Sequence, residues 1–117
     1  MARFNRTHFD ADGDNSAQAA KTSRGFLKYI HVVNSNTAQA FLQLFDTAAA
    51  SVNVGTTTPV QSYLIPPGDG TTSGAFEVAF GSESGLYFDT AITYACTTTP
   101  TGSTDPTTGL TVSMVYE

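Results

Sequence analysis

The sequence contains few of the residues on which disulfide-bonded, metal-binding and membrane-spanning proteins depend. Its 117 residues include one cysteine, two histidines and no tryptophan, and only 13% of them are charged. A single cysteine, Cys96, excludes an intrachain disulfide, and no Cys/His set has the spacing of a zinc site. No apolar run has the length of a membrane span, and the N-terminus shows no apolar signal segment. We therefore expect a protein that is synthesised in the cytoplasm and has no membrane partner.

Basic residues are absent from most of the chain. The five Lys and Arg residues are Arg3, Arg6, Lys21, Arg24 and Lys28. The first 28 residues carry a net charge of +2, and the remainder, which has no Lys or Arg, carries −7. This asymmetry predicts that the basic segment docks on an acidic surface, such as that of a neighbouring copy, with a solvated tail as the alternative. It disfavours nucleic acid as a partner, because the acidic body would repel phosphate.

Thr, Ser, Gly, Ala and Asn take the place of charged residues. This composition suits short strands and turns better than helices, which rely on Glu, Lys, Arg and Leu. The segments with strand patterns are residues 26–33, 38–46, 60–65, 75–80, 86–88, 91–97 and 110–116, with a shorter candidate at 52–54. Their number and spacing predict an all-β chain: an antiparallel β-sandwich with a jelly-roll or Greek-key-like strand order.

The first 23 residues have a different character, and we expect them to form an extended N-terminal arm on a β-sandwich domain of residues 24–117. Phe4 and Phe9 stand among polar neighbours, so we expect them to anchor the arm. The residues predicted for an arm interface are Arg3, Phe4, Arg6, Phe9 and Arg24.

The central segment, residues 26–46, consists of two apolar runs on either side of Asn34-Ser35-Asn36-Thr37, a pattern typical of a β-hairpin. Alternation places Leu27, Tyr29 and His31 on one face of the first run. In both runs each face is largely apolar, but the core of a sandwich buries only one face of a strand. The other face must therefore be covered by the arm, a long loop or another subunit. The residues predicted to lie in an interface or the core are Tyr29, His31, Phe41, Gln43 and Phe45.

No segment carries a convincing catalytic or metal-binding motif. Asp10-x-Asp12-x-Asp14 resembles the start of a calcium loop but lacks the glycine and glutamate that such a loop requires. Residues 81–85 are spaced like a nucleophile elbow, but Glu83 occupies the place of the nucleophilic serine. His31 lies between two apolar residues and is interpreted as a packed or interface histidine rather than a general base. We expect a protein that is not an enzyme and uses no cofactor or metal.

Six segments together resemble a known group of proteins. They are residues 32–34 (VVN), 41–46 (FLQLFD), 54–60 (VGTTTPV), 64–68 (LIPPG), 85–95 (GLYFDTAITYA) and 102–104 (GST). The chain from about residue 25 onward resembles the small β-rich structural proteins of tailed bacteriophages.

This resemblance implies a β-sandwich that assembles symmetrically on the virion. A lone domain of this size is most commonly a capsid decoration or cement protein, which lies over contacts between major capsid subunits. The implied partners are further copies of the chain, as a homotrimer, and the major capsid protein. The implied location is the capsid surface of the virion, after synthesis in the host cytoplasm. The alternative is a tail, collar or fibre-associated module, or an adhesin that binds host glycan.

Overall fold

Nine antiparallel β-strands form the described part of the chain. The structure, a computed structural model, describes residues 5–81 and 85–117, so that Arg3, Phe4 and Glu83 lie outside it. The strands are β1 (Arg6–Gly13), β2 (Gln18–Lys21), β3 (Gly25–Asn34), β4 (Ala40–Phe45), β5 (Gln61–Ile65), β6 (Gly74–Ala79), β7 (Leu86–Phe88), β8 (Ile92–Thr97) and β9 (Leu110–Tyr116). The strand expected at residues 52–54 is absent, and a short 3-10 turn (Ala49–Ser51) precedes that position.

The strands form two sheets that pack face to face. Sheet A has the order β1-β9-β3-β6, with β7 paired to the start of β3, and sheet B has the order β2-β8-β4-β5. Apolar side chains from both sheets fill the space between them. They include Leu27, Ile30, Val32, Leu42, Leu44, Ile92, Val112 and Met114, all of them buried. Packing the two sheets together removes the inward-facing apolar side chains of each strand from water. This burial is the main favourable contribution to the free energy of folding.

The strand pairs are nested in the sequence. β4 pairs with β5, β3 with β6, β2 with β8 and β1 with β9, and all four pairs are antiparallel. Successive members of this series alternate between sheet B and sheet A, as they do when one long two-stranded ribbon is rolled into two sheets. This is the jelly-roll order. The predicted antiparallel β-sandwich is confirmed.

The segment expected to form an arm contributes a strand to the edge of each sheet. β1 pairs with β9 along most of its length, and β2 pairs with β8. Phe9 is 68% exposed and does not anchor this segment. Backbone hydrogen bonds of the two ladders and the buried Ala20 hold it instead.

The central segment is not a hairpin, because β3 belongs to sheet A and β4 to sheet B. The connection between them crosses from one sheet to the other and is held by Asn34, which is buried. The amide nitrogen of Asn34 donates to the carbonyl oxygens of Ala38 and Pro66, at 3.0 and 3.2 Å. Asn and Ser occur both in tight turns and in connections between sheets. The sequence pattern therefore could not distinguish a hairpin from a connection that crosses to the other sheet.

A bulge in β3 changes which of its residues face the core. The pairing with β9 shifts register between Leu27 and Tyr29, and an extra residue at such a point reverses the alternation beyond it. Leu27 is therefore buried together with Ile30 and Val32, while Tyr29 and His31 face outward. The predicted placement of Leu27 on one face with Tyr29 and His31 was wrong for this reason.

Candidate functional site

The outward side of sheet A, here called the open face, has no buried residue. Its members are Thr7, Phe9, Tyr29, His31, Val33, Ala75, Glu77, Ala79, Thr111, Ser113 and Val115. The register aligns them in rows across the four strands. One row runs from Phe9 through Ser113 and His31 to Glu77. The open face is thus a continuous surface rather than a set of scattered side chains.

The open face carries one charged group and several aromatic rings. Phe9 is 68% exposed, and the other apolar members are small or half-buried. The charged group is the carboxylate of Glu77, which accepts a hydrogen bond of 2.5 Å from the Tyr29 hydroxyl. That hydrogen bond raises the pKa of Tyr29. The open face is therefore poor in charge, and depletion of charged residues is one feature of the centre of a protein–protein interface.

The outward side of sheet B, here called the covered face, is closed by the chain itself along β4 and β8, whereas Leu64 on the edge strand β5 is 45% exposed. Its members Gln43, Phe45, Thr93, Ala95 and Thr97 are buried, yet Phe45 is not part of the cluster between the sheets. Two loops of residues 46–60 and 98–109 contact this face. The outward apolar face of β4 is therefore covered by long loops of the chain itself.

Gln43 joins the covered face to the loop of residues 98–109. Its amide nitrogen donates to the hydroxyl oxygen of Thr97 at 2.7 Å and to the carbonyl oxygen of Gly102 at 3.0 Å. The Thr97 hydroxyl in turn donates to the carbonyl oxygen of Thr99 at 2.7 Å. On the other loop, the carbonyl oxygen of Thr47 accepts from the Thr93 hydroxyl at 2.6 Å. These bonds satisfy most of the buried polar atoms, as a closed interior requires.

A cleft of about 530 Å³ opens at the end of the sandwich where β1 begins and β9 ends. It is lined by Arg6, Ala20, Lys21, Thr22, Ser23, Tyr116 and Glu117. We call it the basic cleft, because Arg6 and Lys21 form no ion pair with any described residue. The carboxylate of Glu117 is held by the Lys28 ammonium at 2.8 Å.

A polar cluster ties β1 to β8 across the interior. The Tyr94 hydroxyl donates to the carboxylate of Asp10 at 2.7 Å and lies 2.8 Å from the Nε2 atom of His8. Burial, together with the hydrogen bond to Asp10, raises the pKa of Tyr94. Burial likewise raises the pKa of the Cys96 thiol, which is fully enclosed. Cys96 therefore packs as a small apolar residue, and a thiol of raised pKa is a poor nucleophile.

The structure divides the predicted site residues into three groups. Phe9, Tyr29 and His31 meet on the open face, and Arg6 lines the basic cleft. Arg24 lies beside the Tyr87 hydroxyl at the same end of the molecule. Phe41, Gln43 and Phe45 belong to the covered face. Sequence reasoning missed the cleft itself, whose only signal was the confinement of basic residues to the start of the chain.

In the described ranges, no group of three or more His, Cys, Asp and Glu side chains is arranged to hold a metal ion. The same ranges contain no helix with the length and apolar character that crossing a membrane requires. No family model, curated protein or solved structure matches the chain.

Proposed function

We propose that this chain is a non-enzymatic structural protein of a virion, a capsid decoration or cement protein that binds the major capsid protein through its open face. The observation that carries the proposal is the exposure of Phe9 within a surface whose single charge is Glu77. Burying the Phe9 ring against a partner would remove its apolar surface from water, which is a favourable contribution to binding. The chain's own loops cover β4 and β8 on its other outer face, whereas no described loop covers the open face.

Two further arguments support the same proposal. Six segments of the sequence resemble small structural proteins of tailed bacteriophages. The jelly-roll order is used by viral capsid domains and also by lectins, so the fold is an argument by analogy only. A cement protein acts through contact area and a stable body, and it requires no reactive group. Further copies of the chain, as a homotrimer at the capsid surface, complete the proposed assembly.

The proposal is tested by locating the protein in a cryo-electron-microscopy reconstruction of the virion that carries it. We expect density over the contacts between major capsid subunits, with sheet A directed toward the shell. Density on the tail or collar, above a bare capsid, would overturn the cement role in favour of a tail module.

A matched pair of variants tests the face itself. Phe9→Asp places a charge in the open face, whereas Thr58→Asp places the same charge on an exposed loop outside sheet B. We expect Phe9→Asp to lower occupancy on capsids by at least tenfold and Thr58→Asp to leave it unchanged. Equal occupancy of both variants would show that the open face is not the capsid-binding surface.

A further inference from the structure

The two ends of the sandwich differ in charge. The register places Arg6 beside Tyr116 and Lys21 beside Ile92, so the described basic residues gather at the end with the basic cleft. At the opposite end Gly13 pairs with Leu110, and the loops that gather there carry acids. We call that set the acidic end: Asp12, Asp14, Asp69 and Asp105. No described Lys or Arg lies among them.

At the basic end, the acids are already engaged within the chain. The Asp46 carboxylate accepts backbone N–H groups at 2.9 and 2.7 Å, from Asp89 and Thr90. The carboxylate of Glu117 is paired with Lys28. Arg6 and Lys21 form no ion pair with a described residue, and neither does Arg24, which lies beside the Tyr87 hydroxyl. Arg6 and Lys21 come from different sheets and line one cleft, beside the hydroxyls of Thr22 and Ser23.

At the acidic end, backbone N–H donors hold the carboxylates in place, and each carboxylate can still accept further hydrogen bonds. One oxygen of Asp14 accepts the backbone N–H of Ser16 at 2.9 Å, and one oxygen of Asp105 accepts that of Asn15 at 3.1 Å. The second oxygen of each carboxylate is left for another donor. Asp12 and Asp105 are exposed. This end therefore presents ordered negative charge to solvent.

We propose that the basic cleft of one copy receives the acidic end of a second copy, head to tail. Arginine and lysine donors facing carboxylates form charge-assisted hydrogen bonds, and those of arginine can be bidentate. Because the two contacting surfaces differ, the interface is heterologous and forms a ring where the rotation closes. This inference rests on the part of the proposed function in which copies contact each other, and it names the surfaces that do so.

Neutralising the cleft is the first test, with sedimentation velocity of the full chain as the measurement. The variant Arg6→Gln/Lys21→Gln should weaken self-association roughly tenfold, since two ion pairs are lost. Ala50→Glu/Thr58→Glu changes the net charge by the same amount on an exposed loop and should associate like the wild type. Raising the salt concentration should weaken the wild type and affect the neutralised variant less.

A charge exchange is the second test, and it does not depend on the stability of any one variant. Arg6→Glu/Lys21→Glu alone and Asp12→Lys/Asp105→Lys alone should each remain monomeric, because like charges then meet. Their equimolar mixture should associate, since each cleft then finds an end of opposite charge. Circular dichroism verifies that both variants are folded.

The proposal is overturned if the wild type is monomeric at all concentrations, if the matched control weakens association equally, or if the mixture stays monomeric. If the protein associates in this way but does not bind capsids, the proposed function is refuted and the head-to-tail interface is still supported. Capsid binding by the monomeric variant Arg6→Glu/Lys21→Glu would keep the proposed function and show that it does not need the interface.

Discussion

The open face and the covered face are the outer surfaces of two similar antiparallel sheets, yet the chain treats them differently. On the covered face, two long loops bury Phe45 and Gln43, and Gln43 bonds directly to one of them. On the open face, Phe9 and its neighbours meet no such loop among the described residues and none is buried. Apolar residues on an outer sheet face thus do not by themselves indicate an interface. The placement of the long loops decides which outer face stays exposed.

Among the variants that compare the two faces, Phe45→Ala should cause the largest loss of stability. Phe45 is 1% exposed beneath the covering loops, and truncating a buried phenylalanine costs about 3–5 kcal/mol of the free energy of unfolding. Urea denaturation followed by circular dichroism measures the change. A loss below about 1 kcal/mol would show that the loops do not form a packed layer over sheet B.

Asp46→Asn should have an intermediate effect that depends on pH. Burial would raise the pKa of the Asp46 carboxyl, but backbone N–H donors from residues 89–91 outweigh it and lower that pKa. At pH 7 the substitution should cost about 1 kcal/mol, because the carboxylate loses charge-assisted hydrogen bonds in a position that solvent partly screens. A carboxyl with a lowered folded pKa stabilises the protein above its unfolded pKa, about 4, and less as the pH falls further.

The difference between wild type and Asp46→Asn in urea denaturation should therefore shrink as the pH is lowered from 7 to 3. A difference that stays constant over this range would contradict the role of the ionised carboxylate at the start of the covering loop.

Phe9→Ala should have the smallest effect on stability, within about 0.5 kcal/mol, because the ring is mostly in water. It is the same substitution as Phe45→Ala on the opposite outer face, so the two measurements compare the faces directly. A destabilisation of Phe9→Ala above about 2 kcal/mol in the isolated protein would mean that the open face is already covered in solution.

Much of the fold could be predicted from local sequence, because strand positions depend on short-range alternation and on turn residues. Residues 75–80 and 110–116 alternate cleanly, and the structure has strands at both. The partner of β3 could not be predicted in the same way. Asn34 serves a crossing between sheets, and its acceptor on Pro66 lies 32 residues away. Pairing at that distance is decided by the whole topology rather than by the neighbouring residues.

The candidate site was predictable to a smaller extent. Tyr29 and His31 were expected at an interface or in the core. They lie on a different outer face from Phe45 because β3 and β4 belong to different sheets, which the sequence pattern did not predict. The bulge that turns Tyr29 outward has no glycine to signal it, since the residue there is Lys28. The basic cleft combines Arg6 with Tyr116, and only the pairing of β1 with β9 brings the two together.

The nesting of the strand pairs has a consequence for assembly. The outermost pair, β1 with β9, joins residues about a hundred positions apart, the largest sequence separation of the four nested pairs. The walls of the basic cleft are the ends of that pair together with β2. A chain whose terminal strands have not yet paired has no cleft to offer. Head-to-tail association would then select completely folded copies and leave incomplete ones out of the assembly.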